Sequence, residues 1–214
     1  MKHYFIKQTN NHTLDLIFAG WGMDATPFLS ENTPNDLCIC YDYTDLELDV
    51  SLFKSYRHIR LLAWSMGVWA AASVFQNQSL IFQRKIAING TMEPVNDDKG
   101  IPHSIFKGTL DHLSPLTLEK FNRRMCGSQE RKHYFEEHAP KRNIESLRSE
   151  LASIYTGSLN RQPPCFKWDM VIIGNRDLIF PAENQRKAWS GENIIETNDA
   201  HYPQTFLDYA RTNR

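Results

Sequence analysis

Ser65 stands in Leu61-Leu62-Ala63-Trp64-Ser65-Met66-Gly67-Val68-Trp69-Ala70-Ala71, where an apolar run gives way at once to a run of small residues. The pattern predicts a strand, a sharp turn carrying the serine, and a helix. A serine on such a turn lifts its hydroxyl above the C-terminal edge of a sheet, and small residues two positions to either side relieve crowding in the strained backbone. Ala63 and Gly67 occupy those positions. Glycine is usual at both, and alanine narrows the backbone angles open to the turn. The same stretch also fits a serine that begins a buried helix as an ordinary cap.

A serine hydroxyl is a weak nucleophile until a positioned base takes its proton, and that base is usually oriented by a carboxylate. His201, in Asn198-Asp199-Ala200-His201-Tyr202-Pro203, is expected in a loop before a last helical stretch over 204–210. Asp177 follows the buried-strand pattern Ile172-Ile173-Gly174 and falls just past a strand end, where an orienting acid belongs; a turn or capping aspartate is the other reading. Chain order selects His201 from the eight histidines, since Ser65, Asp177, His201 follows the Ser, then Asp or Glu, then His order of parallel-sheet serine hydrolases. His103, His112, His133 and His138 fall in a middle segment and are expected to face solvent or its inner surface. Acyl transfer also needs donors aimed at a developing oxyanion. The backbone N–H of Met66 is the first candidate, and that of Trp21, in the turn Gly20-Trp21-Gly22, is the second.

The elements that must hold these groups read as strands at Tyr4-Phe5-Ile6 (an edge), 14–19, 37–41, 59–64, 86–89 and 170–174. Helices are expected over 24–29, 50–56, 66–76 and from Phe180-Pro181 to Trp189. This alternation predicts an α/β fold with a mostly parallel sheet flanked by helices. From Ile101 to about Gln162 the character changes to amphipathic, charge-rich stretches, 114–126, 128–138 and 143–155, and strand signals resume after Pro163-Pro164. The domain reading is a core of 1–100 and 161–214 carrying a helical insertion over 101–160.

The 214 residues are 41% hydrophobic and 12% aromatic, enough for a single core. The formal net charge of -1 disfavours a nucleic-acid role or an anionic membrane surface. The most apolar stretch, 61–75, is broken by Ser65, Gly67 and Ser73 and falls short of the roughly 20 residues that span a bilayer. The polar run from Gln8 to Thr13 breaks any export signal, so a cytoplasmic location is expected. Cys38, Cys40, Cys126 and Cys165 form no CxxC pair, and reduced thiols are expected. Cys38 and Cys40 share a strand face but lack a second ligand pair nearby in sequence. No dinucleotide or Walker fingerprint is present, and no metal or organic cofactor is expected.

These residues together resemble the α/β-hydrolases, and within them the pimeloyl-acyl-carrier-protein methyl ester esterases of biotin synthesis, of the short BioG branch. The resemblance runs through FAGWGMD at 18–24, LLAWSMG at 61–67, AINGT at 87–91, GNRDLIFP at 174–181 and AHYP at 200–203. It implies Ser65 as nucleophile, Asp177 as orienting acid, His201 as base, and Trp21 and Met66 as oxyanion-hole residues. Two departures stand out: Ala63 replaces a glycine, and Ala19 stands where many relatives carry histidine.

The resemblance also implies that the insertion is a cap over the pocket that contacts the acidic acyl carrier protein. The segment 101–160 carries nine Lys/Arg against seven Asp/Glu. Arg123, Arg124, Arg131, Lys132, Lys141 and Arg142 are its candidates for docking acidic helices or a phosphopantetheine phosphate, with solvated helix faces as the alternative. Trp64, Trp69, Phe106, Leu110, Phe121 and Phe135 are candidates for an acyl channel, against plain core packing. The implied reaction is hydrolysis of the methyl ester of the carrier-bound pimeloyl chain; a monomer is expected. A triad alone fixes reaction type only. A serine hydrolase for another small ester or thioester, and a non-catalytic binding module on the same fold, therefore remain as rivals.

Overall fold

The computed structural model describes residues 1–9, 11–203 and 206–208. Seven strands form one sheet: β1 (Lys2–Lys7), β2 (Thr13–Phe18), β3 (Asp36–Tyr41), β4 (His58–Trp64), β5 (Arg84–Ile88), β6 (Met170–Gly174) and β7 (Ile194–Thr197). Their order is β1-β3-β2-β4-β5-β6-β7. β1 runs antiparallel to β3 at one edge, and every other neighbouring pair is parallel. Interior parallel strands are covered on both faces, which is why their sequences read as continuous apolar runs. Leu14, Leu16, Ile17 and Phe18 of β2, for example, are all fully buried.

β2 has β3 on one side and β4 on the other, so the chain reverses its direction of travel across the sheet there. In open parallel sheets the crevice beyond the strand ends at such a point is where ligands bind. The turn Gly20-Trp21-Gly22 leaves β2 and Ser65 leaves β4 at that crevice.

α1 (Met66–Phe75) follows β4 directly, and α6 (Ala182–Ala188) lies between β6 and β7. The helices expected over 24–29 and 50–56 are only 3-10 turns, Thr26–Phe28 and Val50–Phe53. The first buries only Pro27 and Phe28 and the second only Phe53. Neither has an apolar face long enough to hold a full helix. The short strand β7 was not foreseen. The expected last helix over 204–210 lies mostly outside the described residues.

The connection between β5 and β6 holds α2 (His103–Asp111), α3 (Pro115–Cys126), α4 (Gln129–Glu137) and α5 (Ile144–Leu159), with no strand among the described residues there. α2 is an addition to the sequence expectation. The starts of the other three follow from local capping. Ser114 and Thr117 form a reciprocal capping box, Ser128 accepts from Arg131 N–H, and Asn143 accepts from Ser146 N–H. Gly127 at φ 72° ends α3 in the left-handed conformation. Among the described residues no helix is long and apolar enough to cross a membrane.

Candidate active site

β4 ends at Trp64 and α1 begins at Met66, so Ser65 alone makes the turn, at φ 60° and ψ −126°. That backbone is strained for any residue with a Cβ and persists only because its surroundings impose it. Ser65 N–H donates to Ile88 C=O at 2.9 Å. A Cβ at position 67 would lie 2.3 Å from the Phe18 carbonyl oxygen, and one at position 90 would lie 2.3 Å from that of Ser65. Gly67 and Gly90 therefore let the neighbouring chains close around the turn. Ala63 lies inside β4, paired with Phe18 and Ala87, so this departure from glycine falls on regular strand backbone.

Ser65 Oγ is 2.9 Å from His201 Nε2, and His201 Nδ1 is 2.8 Å from Asp177 Oδ2. A carboxylate only accepts, so Nδ1 carries the proton and Nε2 is free to accept from the serine hydroxyl. Asp177 Oδ1 accepts the N–H groups of Ile179 at 2.7 Å and Phe180 at 2.9 Å, which orients the carboxylate from its own loop. Gln185 Nε2, on α6, donates to Oδ2 at 3.1 Å. The His201 ring is 1% exposed, stacked on Phe180 with centroids 5.9 Å apart and flanked by Trp64 at 5.3 Å. The separated sequence candidates are thus assembled into one buried chain of hydrogen bonds.

Two residues that hold this chain were not singled out from sequence. Asn89, at φ 46° past β5, donates to the carbonyls of Ala200 at 3.0 Å and His201 at 2.9 Å and accepts Gly174 N–H at 2.7 Å. Gln185 is the other. The sequence sign of Asn89 is an Asn-Gly pair directly after the apolar Ile86-Ala87-Ile88. His103, His112, His133 and His138 lie on or beside α2 and α4 and do not line the cavity at Ser65.

Met66 is the first residue of α1, and a helix's first N–H groups have no intrahelical partner. Trp21 occupies a turn closed by Met23 N–H to Gly20 C=O at 3.4 Å, and its indole N–H donates to Leu147 C=O on α5 at 2.8 Å. Both residues border a cavity of about 40 Å³ together with Ser65. Ile101, Phe106, Leu151 and Ile179 make this cavity chiefly apolar, and the titratable groups in its lining are Arg124 and His201. Ile105 and Leu178, 54% and 63% exposed, also border it. Trp21 and Phe121, in an edge contact at 5.1 Å, also line a second cavity of about 190 Å³ beneath α3 to α5. Of the expected channel residues, Trp64, Phe106 and Phe121 line the first cavity and Phe135 the second, while Trp69 and Leu110 belong to the core packing.

The six cations expected to meet a carrier separate into two groups. Arg123 and Arg124 are exposed in the last turn of α3, and Lys141 is exposed before α5. Lys132 pairs with Glu136 on its own helix. Arg131 donates to the carbonyl of Tyr202 at 2.8 Å and to Asp199 at 2.9 Å, so its fork is engaged with the His201 loop. Arg142 is 7% exposed and bound to Glu150 at 2.6 Å and Asp42 at 3.1 Å. Its guanidinium is engaged by these interior carboxylates, unlike those of Arg123 and Arg124.

A family model described as pimeloyl-ACP methyl esterase BioG matches residues 1–210. A malonyl-[acyl-carrier protein] O-methyltransferase of Bacteroides fragilis is 48% identical over 195 residues, 90% of this chain but 40% of that protein. The chain therefore spans less than half the length of that relative. An uncharacterized protein of Haemophilus influenzae is 41% identical, with 94% of each chain covered. The crystal structure of BioG from Haemophilus influenzae superposes with a TM-score of 0.85 at 38% identity, covering 95% of this chain and 94% of that one. An esterase from Exiguobacterium antarcticum, at 13% identity and a TM-score of 0.69 over 98% of this chain and 91% of its own, shares the α/β-hydrolase fold. With the serine, histidine and aspartate brought together on that fold, the chain belongs to the BioG family of pimeloyl-ACP methyl esterases.

Proposed function

We propose that this chain is a serine carboxylesterase that hydrolyses the methyl ester of pimeloyl-acyl carrier protein, giving pimeloyl-acyl carrier protein and methanol in biotin synthesis. The observation that carries the proposal is the hydrogen-bonded run from Ser65 Oγ through His201 to Asp177, at 2.9 and 2.8 Å, at the wall of an apolar cavity. Ser65 Oγ attacks the ester carbonyl carbon while His201 Nε2 takes its proton, and Asp177 steadies the imidazolium. The N–H groups of Trp21 and Met66 receive the oxyanion. His201 returns the proton to the departing methoxy group, and methanol leaves. Water then attacks the acyl-enzyme with His201 as base, freeing the carboxylate and restoring Ser65. None of these steps uses a cofactor.

Residues 101–160 serve as the cap in this proposal, with the remainder as the core. The acyl chain runs along the apolar lining, and the carrier docks where Arg123 and Arg124 stand exposed, with exposed Lys141 and the Glu136-paired Lys132 as further contacts. The protein acts as a cytoplasmic monomer. The test is labelling by a fluorophosphonate together with methanol release from dimethyl pimelate. Wild type is expected to be labelled and to turn over, and Ser65→Ala to do neither. A Ser65→Ala protein that still releases methanol at the wild-type rate overturns the mechanism.

A further inference from the structure

The apolar face of α5 is built from Leu147, Leu151 and Ile154, all buried, and Glu150 interrupts that stripe. This carboxylate is fully buried and is not part of the lining of the Ser65 cavity. Removing a carboxylate from water is costly unless its oxygens are paired. Here Oε2 accepts Gly22 N–H at 3.1 Å and Arg142 Nη1 at 2.6 Å, and Oε1 accepts Tyr43 N–H at 3.0 Å. Arg142 also donates to the carbonyl of Met23 at 3.2 Å and pairs with Asp42 at 3.1 Å. The bonds reach the loops that follow β2 and β3 and tie both to α5.

The loop after β2 is the one that presents Trp21. One turn before Glu150 on α5, Leu147 C=O accepts the Trp21 indole N–H at 2.8 Å. Trp21 is thus gripped through its own side chain, and the next peptide is gripped through Gly22 N–H. These two bonds flank the Trp21 backbone N–H that the esterase proposal assigns to the oxyanion. Gly22, at φ 81°, supplies a conformation open to glycine that carries the chain past this grip.

We infer that Glu150, held by Arg142, is a positioning residue that aims the Trp21 N–H at the oxyanion from the cap side. The inference rests on the esterase reading above and extends it: the cap helix α5 builds half of the oxyanion hole as well as covering the pocket. Glu150 touches neither substrate nor Ser65, so its effect falls on the transition state, where the oxyanion forms, and little on substrate binding.

Glu150→Gln keeps the shape but replaces an oxygen acceptor by an NH₂ group, which meets a backbone N–H donor-to-donor at Gly22 or Tyr43. With dimethyl pimelate, kcat is expected to fall about 10- to 100-fold, as for a donor displaced by about an ångström, with KM within about twofold. Affinity for phenylboronic acid, which forms a tetrahedral adduct on Ser65, should fall by a similar factor. Arg142→Lys, a milder change, should show the same kcat-selective loss at smaller size, so the inference does not depend on Glu150→Gln folding well. A lowered melting temperature with unchanged kcat and unchanged boronate affinity in either folded variant overturns the positioning role and leaves the esterase standing. Wild type that releases no methanol, or Ser65→Ala that matches it, overturns both.

Discussion

At Ser65 the chain holds a side chain in a backbone region that most residues avoid, and the crowding is absorbed by Gly67, two residues on in α1, and by Gly90 in the segment after β5. His201 and Asp177 meet the hydroxyl with the proton placed on Nδ1, an arrangement that depends on the aspartate being an acceptor only. Asp177→Asn keeps the volume but offers an NH₂ to the histidine and favours the wrong tautomer. A fall of ~10⁴-fold in kcat with an intact fold is expected, read by ester hydrolysis beside a circular-dichroism melt. A variant within tenfold of wild type would remove Asp177 from the catalytic chain. Ser65, Asp177 and His201 could be read from the sequence because each follows a local strand-end pattern and their chain order is distinctive. Asn89, Gln185 and Glu150 could not be assigned in that way, because their partners are remote: Asn89 reaches Ala200 across 111 positions. Glu150 leaves a trace as the one charge on an apolar stripe, but that trace does not name its partners.

Among the elements, α1 and the helices with strong caps were legible, whereas α2 and β7 were not. α2 has Gly108 in its interior and an exposed Ile105, which blur its apolar face, and β7 is four residues with no clear alternation. The last turn of α3 brings exposed Arg124 to the cavity beside Ser65, with exposed Arg123 next to it, and the docking proposal puts the acidic carrier or its phosphate there. Arg123→Glu combined with Arg124→Glu is expected to raise KM for the carrier-bound ester about tenfold or more at low salt, while changing KM for dimethyl pimelate little. Steady-state kinetics on both substrates decide it, and equal effects on the two would place the docking surface elsewhere. Arg131 does different work despite its similar sequence surroundings, since its fork closes α4 onto the His201 loop.

For the molecule as a whole, the parallel sheet and the long helical connection between β5 and β6 were visible as an alternation of runs that stops at about residue 101 and resumes past 163. The antiparallel edge strand and the position of the crevice at β2 and β4 emerge only once the strand order is known. Buried and half-buried carboxylates set the acid behaviour. Burial pushes Asp36 up, but Thr9 and Tyr56 donate to it and hold it below its ordinary 3.8. Asp42 is likewise pushed up by burial and held lower by Lys2, Thr44 and Arg142. Both contribute stability that is present above 3.8 and lost as pH falls through their lowered folded values. Glu150 runs the other way: burial lifts it above its ordinary 4.5 despite Arg142, so its share is present below 4.5 and lost as pH rises through the raised value. Asp45, Asp49 and Glu196, which are more exposed, are also held below their ordinary values by the groups that donate to them. Five lowered carboxylates thus stand against the one raised, the melting temperature is expected to drop below about pH 4, and a melt at pH 3 equal to that at pH 7 would contradict this balance.

The central claim is that Ser65 removes a methyl group from a carrier-bound pimeloyl ester, and intact-protein mass spectrometry of that substrate tests it most directly. Incubation with wild type should lower the mass of pimeloyl-acyl carrier protein methyl ester by one CH₂ unit, and incubation with Ser65→Ala should leave it unchanged. An unchanged mass with wild-type protein that a fluorophosphonate labels at Ser65 would contradict the assigned substrate, and demethylation by Ser65→Ala would contradict the assigned chemistry.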